Sequence, residues 1–201
     1  MRVPVVKDVY PMLLAVWFIG FILSLVHIGF AFAALLVIVF LLAFFRDPKR
    51  VFLGDPLKDI VSPADGVVII AGQDPKRVSI FMNLFNVHVN YAPISGTIGT
   101  IEHKKGAFYR ANLDKASEKN ETNCIEIKTD YGTVLMKQIA GLIARRICCY
   151  PKQGDVVRAG DKIGLIKFGS RVDLDLPANA IILVSKGQHV VGGETVIGRL
   201  G

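Results

Sequence analysis

Gly154-Asp155-Val156-Val157-Arg158-Ala159-Gly160-Asp161 recurs close to the end of the chain as Gly187-Gln188-His189-Val190-Val191-Gly192-Gly193-Glu194. Each copy opens and closes on glycine, keeps a valine at its fourth position and places an acid after the closing glycine. That is a short extended run held between two tight turns. Working outward, the same grammar fills the chain after Arg50. Alternating or β-branched runs at Gly66 to Ala71, Val78 to Met82, Gly96 to Ile101, Asn123 to Lys128, Val134 to Ile139 and Ile181 to Val184 read as strands. Turns at Pro63-Ala64-Asp65-Gly66, Ser95-Gly96, Asp130-Tyr131-Gly132 and Gly154-Asp155 separate them. Helical periodicity is weak there, apart from one turn near Asn83 to Phe85. Residues 51–201 are therefore expected to form a mainly β domain, a sandwich or flattened barrel. The polar stretch Glu102 to Glu121 reads as a long mobile loop, with Phe108 and Tyr109 either dipping into an interface or packing beneath it.

The first fifty residues obey different rules. From Pro11 to Phe45 there is no Asp, Glu, Lys or Arg, and His27 interrupts the apolar run alone. A secretory signal has a shorter apolar core and a small-residue cleavage site, so this reads as a retained membrane anchor over residues 1–50. One helix of about 35 residues would be roughly 50 Å long, against a hydrocarbon core of about 30 Å. A break near Val26-His27-Ile28-Gly29 gives two runs of about 17 residues, each just able to cross. A transmembrane hairpin is favoured over one tilted span. Arg2 and Lys7 before it, with Arg46, Lys49 and Arg50 after it, place both ends on the cytoplasmic side of the cell membrane.

The formal net charge is +7. Basic residues gather at the membrane exit and again at Lys104, Lys105, Arg110, Lys115 and Lys119. This suits a domain resting on an anionic membrane surface; ordinary solvated surface is the bland alternative. No nucleic-acid recognition motif accompanies the charge, so no nucleic-acid partner is expected. Cys124, Cys148 and Cys149 lie in β-like runs without CxxC spacing and read as buried cytosolic thiols, and no metal site is expected.

Phosphate loops, dinucleotide turns and HExxH helices are all missing from the sequence. The histidines are His27, His88, His103 and His189, so catalytic bases are scarce. His88 stands in Phe81-Met82-Asn83-Leu84-Phe85-Asn86-Val87-His88-Val89-Asn90-Tyr91-Ala92-Pro93. Taken alone, an imidazole in such an apolar run is more often a satisfied core residue than a catalyst.

Context changes that balance. The order of Phe44-Phe45-Arg46-Asp47-Pro48, Val61-Ser62-Pro63-Ala64-Asp65-Gly66, the His88 segment, Asn120-Glu121, Gln138-Ile139-Ala140-Gly141-Leu142-Ile143-Ala144-Arg145-Arg146-Ile147 and Lys167-Phe168-Gly169-Ser170-Arg171-Val172-Asp173 resembles the phosphatidylserine decarboxylase proenzymes. The closest pattern is the short form of bacteria and archaea, and the resemblance covers nearly the whole chain. It implies autocatalytic serinolysis at Gly169-Ser170, giving an associated β chain (1–169) and α chain (170–201). Ser170 becomes the covalent pyruvoyl cofactor, which serves as electron sink for converting phosphatidylserine to phosphatidylethanolamine and CO2. The resemblance assigns His88 as the base on Ser170, with Asp65 orienting its imidazole, a Ser-His-Asp set recognised by role. Two departures stand out: Arg171 replaces the small hydroxyl residue common after the modified serine, and Phe85 occupies the place of a second histidine in longer members. Assembly of identical chains is left open.

The repeat, with Ser62-Pro63-Ala64-Asp65-Gly66-Val67-Val68 and Ala92-Pro93-Ile94-Ser95-Gly96-Thr97-Ile98, also resembles the strand–turn–strand units of lipoyl and biotinyl domains. A carrier module with Lys115 as its attachment point is the rival from another class. It is disfavoured because Lys115 lies in a polar stretch, not on a hairpin between repeat halves.

Overall fold

The computed structural model describes residues 5–106, 120–141, 147–167 and 170–201. The chain divides into two compact units, Met1–Lys49 and Arg50–Gly201.

In the first unit a single-turn 3-10 helix, Lys7–Val9, leads into α1 (Tyr10–Ser24), and α2 (Gly29–Phe44) follows. Pro11 sits in the first turn of α1, where its missing N–H removes a donor that has no partner in the helix anyway. Residues 25–28 separate the two helices, which pack against each other. Their approach is close because Gly20 has no side chain: a Cβ there would lie 2.3 Å from that of Ala34. The ends meet as well, through the Val5–Arg46 bridge and a 3.0 Å hydrogen bond from the Val6 N–H to the Phe45 carbonyl. Leu14, Trp17, Phe18, Phe32 and Leu36 project outward. Lys7–Ser24, with a mean hydropathy of 1.4, is long and apolar enough to cross a membrane; Gly29–Phe44 is a shorter apolar helix.

The second unit is mainly β. Its strands are β1 (Asp59–Val61), β2 (Gly66–Gln73), β3 (Lys76–Met82), β4 (Val89–Tyr91), β5 (Gly96–Lys104), β6 (Thr122–Thr129) and β7 (Gly132–Ala140). They continue with β8 (Ile147–Cys149), β9 (Val156–Val157), β10 (Lys162–Ile166), β11 (Ser170–Asp175), β12 (Ala180–Ile182), β13 (His189–Val190) and β14 (Val196–Leu200). One sheet has eight strands in the order β13-β2-β3-β11-β7-β6-β5-β9, and two three-stranded sheets, β1-β14-β12 and β4-β10-β8, accompany it. All the pairings are antiparallel.

Alternation dictates the core. On β3, β11 and β7, the rows Ile80–Val172–Gln138 and Val78–Leu174–Met136 are in register, and the apolar members of these rows join Ile125, Ile127 and Val134 in the interior. The Gly-x-x-Val-x-x-Gly copies become β9 and β13. Their glycines, at φ of 90° and 85° in the first and 91° and 73° in the second, hold the left-handed backbone that a side chain would strain. β9 closes one edge of the large sheet on β5, and β13 closes the other on β2.

The expected strands from Gly66 to Ile139 are present, extended by a few residues. The loop expected from Glu102 starts later, since β5 continues to Lys104. Phe108, Tyr109, Arg110, Lys115 and Lys119 lie outside the described residues, as do Leu142 to Arg146, Phe168 and Gly169. Cys124, Cys148 and Cys149 are not joined in disulfides, and each is half-buried. Burial raises the pKa of Cys124, and it raises that of Cys149 against an opposing hydrogen bond with Asn123. Among the described residues there is no cluster of His, Cys, Asp or Glu able to hold a metal ion.

Candidate active site

Ser170 is the first residue of β11, which lies between β3 and β7 in the interior of the large sheet. Its register partners are Met82 and Ala140, and its side chain is buried on the inner face. The hydroxyl donates to the Met82 sulfur at 3.8 Å, a weak bond that positions the oxygen without holding its proton tightly.

That sulfur begins a chain of buried amides. The Asn90 side chain donates to it at 3.8 Å, Gln138 donates to the Asn90 side-chain oxygen at 2.8 Å, and Asn123 donates to the Gln138 oxygen at 2.9 Å. Asn90 lies on β4 and Gln138 on β7, so the chain ties the small β4-β10-β8 sheet to the large one next to Ser170. Asn120 adds a 2.7 Å bond to the carbonyl of Ala140, opposite Ser170. Sequence reasoning assigned these amides no role. The signal that could have found them was polar side chains at inward positions of otherwise apolar strands.

His88 is buried directly before β4. Its backbone carbonyl accepts from the Ile166 N–H at 3.3 Å, at the end of β10 and four residues before Ser170. The same turn of chain runs from Met82, beside Ser170, to His88. Nδ1 lies 2.9 Å from the Asn86 carbonyl. A carbonyl only accepts, so Nδ1 carries a proton, and in the neutral ring Nε2 bears the lone pair.

Asp65 is placed differently from the sequence expectation. Its carboxylate accepts from Arg50 at 3.0 and 3.3 Å and from the Gly192 N–H at 2.8 Å. The described contact of the imidazole is to the Asn86 carbonyl, and the described partners of the Asp65 carboxylate are Arg50 and Gly192. Arg50, one of the cations that flank the apolar segment in sequence, is also a half-buried partner of Asp65 and Glu194. Burial works to lower its pKa, but Asp65, Tyr91 and Glu194 together raise it above its ordinary value. Tyr91 ends β4, and its N–H donates to the Pro63 carbonyl at 2.9 Å. The Asp65 turn thus braces the strand that follows His88.

Behind Ser170, on the outer face of β11, lie Arg171 and Asp173, each 1% exposed. The guanidinium binds both carboxylate oxygens and donates to the Ser79 hydroxyl at 3.1 Å. β11 is therefore buried on both faces.

Ser170 and His88 are both buried in a mainly β domain, and the His88 carbonyl is bonded to the strand end four residues before Ser170. The chain belongs to the phosphatidylserine decarboxylase family, which it matches over residues 37–198. It is therefore an enzyme, and its family acts on phosphatidylserine by decarboxylation. In outline the chain is loosely similar to glucose permease IIA from Mycoplasma capricolum, over 75% of this chain and 99% of that one, at 16% identity and a TM-score of 0.44.

Proposed function

We propose that the chain is a precursor that breaks its own Gly169–Ser170 bond and then decarboxylates phosphatidylserine with the pyruvoyl group left at position 170. The observation that carries this is the fixed tautomer of His88, next in space to the strand end that leads to a buried Ser170. In the first step Nε2 takes the proton of the Ser170 hydroxyl while Oγ attacks the Gly169 carbonyl carbon. The Gly169–Ser170 amide becomes an ester as the acyl group moves from nitrogen to oxygen. Loss of the Ser170 α-proton then expels the Gly169 carboxylate and leaves dehydroalanine. Water adds, and ammonia departs.

The residues around position 170 fit the product: the place is buried and faces Met82 and Ala140. Bound there, a pyruvoyl group supplies the electron-withdrawing carbonyl through which a substrate amine's carboxylate can leave as CO2. His88 holds the proton that returns to the product. Asp65 contributes indirectly, holding Arg50 and the Gly192 amide beneath β4. The two chains stay associated because β11 keeps both neighbours. The apolar helices anchor the enzyme in the cell membrane, with the β domain on the cytoplasmic face against anionic lipid.

Intact-mass measurement of the purified protein tests this. The expected result is two chains, the smaller comprising residues 170–201 and about 17 Da lighter than its serine-started form. Ser170→Ala is expected to remain one folded, inactive chain, and His88→Ala to be cut far more slowly. Cleavage of the Ser170→Ala protein at the normal rate would remove Ser170 as the nucleophile.

A further inference from the structure

Asn90 on β4, Gln138 on β7 and Asn123 on β6 form a line of carboxamides inside the β domain, each at most 2% exposed. Apolar side chains would fill the same space without needing partners, so buried amides there call for a reason. The fold also leaves room for them. β10 passes close to Gln138 because Gly164 has no side chain: a Cβ there would lie 2.7 Å from Gln138 Nε2.

One end of the line fixes its direction. A thioether sulfur only accepts hydrogen bonds, so the Asn90 atom 3.8 Å from Met82 Sδ is the amide nitrogen. Asn90 Oδ1 then faces away from the sulfur, and Gln138 presents Nε2 to it at 2.8 Å. That turns Gln138 Oε1 to the far side, where Asn123 Nδ2 donates at 2.9 Å. Every bond in the line donates toward Met82, and each polarises the next. The same sulfur accepts from the Ser170 hydroxyl at 3.8 Å. Ser170 and the donor end of the line therefore share one fully buried acceptor. A methionine side chain is unbranched and adapts to many shapes. Here the amides hold its sulfur in one place, and the hydroxyl with it.

We propose that Asn90 is a positioning residue for the cleavage at Ser170: oriented by Gln138 and Asn123, its N–H pins the Met82 sulfur that sets where Ser170 Oγ lies. This rests on Ser170 being the nucleophile that breaks the Gly169–Ser170 bond. The sulfur contacts are weak in energy, but misplacing an attacking atom by about 1 Å costs roughly a hundredfold in rate.

Gln138→Glu tests the direction without altering Met82 or Ser170. The carboxylate keeps the size of the amide but only accepts, so Asn123 stays bonded to it while Asn90 turns its N–H round to it. Both bonds survive, and Asn90 now shows its oxygen to the sulfur. At about pH 8, where the carboxylate is charged, appearance of the chain starting at position 170 is followed by intact mass. It is expected to slow by about tenfold or more in protein that circular dichroism shows to be folded. Met82→Leu keeps the volume and removes the acceptor, and is expected to slow cleavage by about fivefold or more. Once the sulfur is gone, adding Gln138→Glu is expected to slow cleavage further by less than about twofold. Equal slowing by Gln138→Glu with and without the sulfur would overturn the proposal, since the new charge would then act on its own. Cleavage of Met82→Leu at the wild-type rate would also overturn it, even if Gln138→Glu failed to fold. A wild-type chain that stayed whole would remove Ser170 as nucleophile and the role of Asn90 with it. A wild-type chain that is cut, beside variants cut equally fast, would remove the role of Asn90 alone.

Discussion

Replacing Asp173 by Asn keeps the shape of the side chain and removes its charge, which isolates the buried pair behind Ser170. Arg171 and Asp173 are each 1% exposed, and the guanidinium holds both carboxylate oxygens. Neutralising one partner leaves a cation without its counter-charge in a dry place, a change that costs about 3–5 kcal/mol. The Asn oxygen still accepts one bond, so the lower end, about 3 kcal/mol, is expected. For a domain of this size that lowers the melting temperature by roughly 6–12 °C. Arg171→Met with Asp173→Leu removes both charges, and is expected to recover most of the loss. Melting should be followed by far-UV circular dichroism in detergent, because the sole tryptophan lies in α1 and does not report on the β domain. A loss below about 1 kcal/mol in Asp173→Asn would mean that water reaches the pair, refuting a β11 buried on both faces.

Two other perturbations probe the second unit. Gln138→Leu strands the amides of Asn90 and Asn123, so a loss of about 2–4 kcal/mol is expected, with slower appearance of the chain that starts at position 170; melting and a cleavage time course check it. Asp59, held by Arg199 at 2.6 Å and by the Asp55 N–H at 2.9 Å, has its pKa lowered by these bonds against the effect of burial. Its contribution is fully present above the ordinary carboxylate range and fades as pH falls through the lowered value. The melting gap between wild type and Asp59→Asn is therefore expected at pH 7 and should close in acid; a constant gap would rule out this linkage.

The long strands β2, β3, β5, β6 and β7 were legible because each alternates over enough residues for a period to show. Strands of two or three residues, such as β1, β4 and β8, are too short to carry one. β11 hid for a different reason. Ser170-Arg171-Val172-Asp173-Leu174-Asp175 alternates well, but its charges suggest a solvated face where the structure has a closed ion pair. At the candidate site, Ser170 and His88 were singled out in the sequence by the order of the motifs around them. The ion pairs of Arg50 were not legible, because a cation beside an apolar run shows in sequence only as a membrane flank. Only the tertiary fold brings Asp65 within its reach, and the same holds for the Asn90, Gln138 and Asn123 chain, whose members are distant in sequence.

Ser170 begins a strand that has a neighbour on either side. A cut before it would sever a connection without exposing a sheet edge, and the folded molecule would hardly register the loss. The unfolded one would. Residues 170–201 supply β11, β12, β13 and β14, so a cut enzyme that unfolds must find a second chain to fold again. Renaturation would become bimolecular, with a rate set by concentration, whereas the uncut precursor folds at a rate independent of it. The chain would therefore have one dependable opportunity to reach its structure, before the bond is broken, and an enzyme that unfolded later would be replaced by new synthesis rather than recovered.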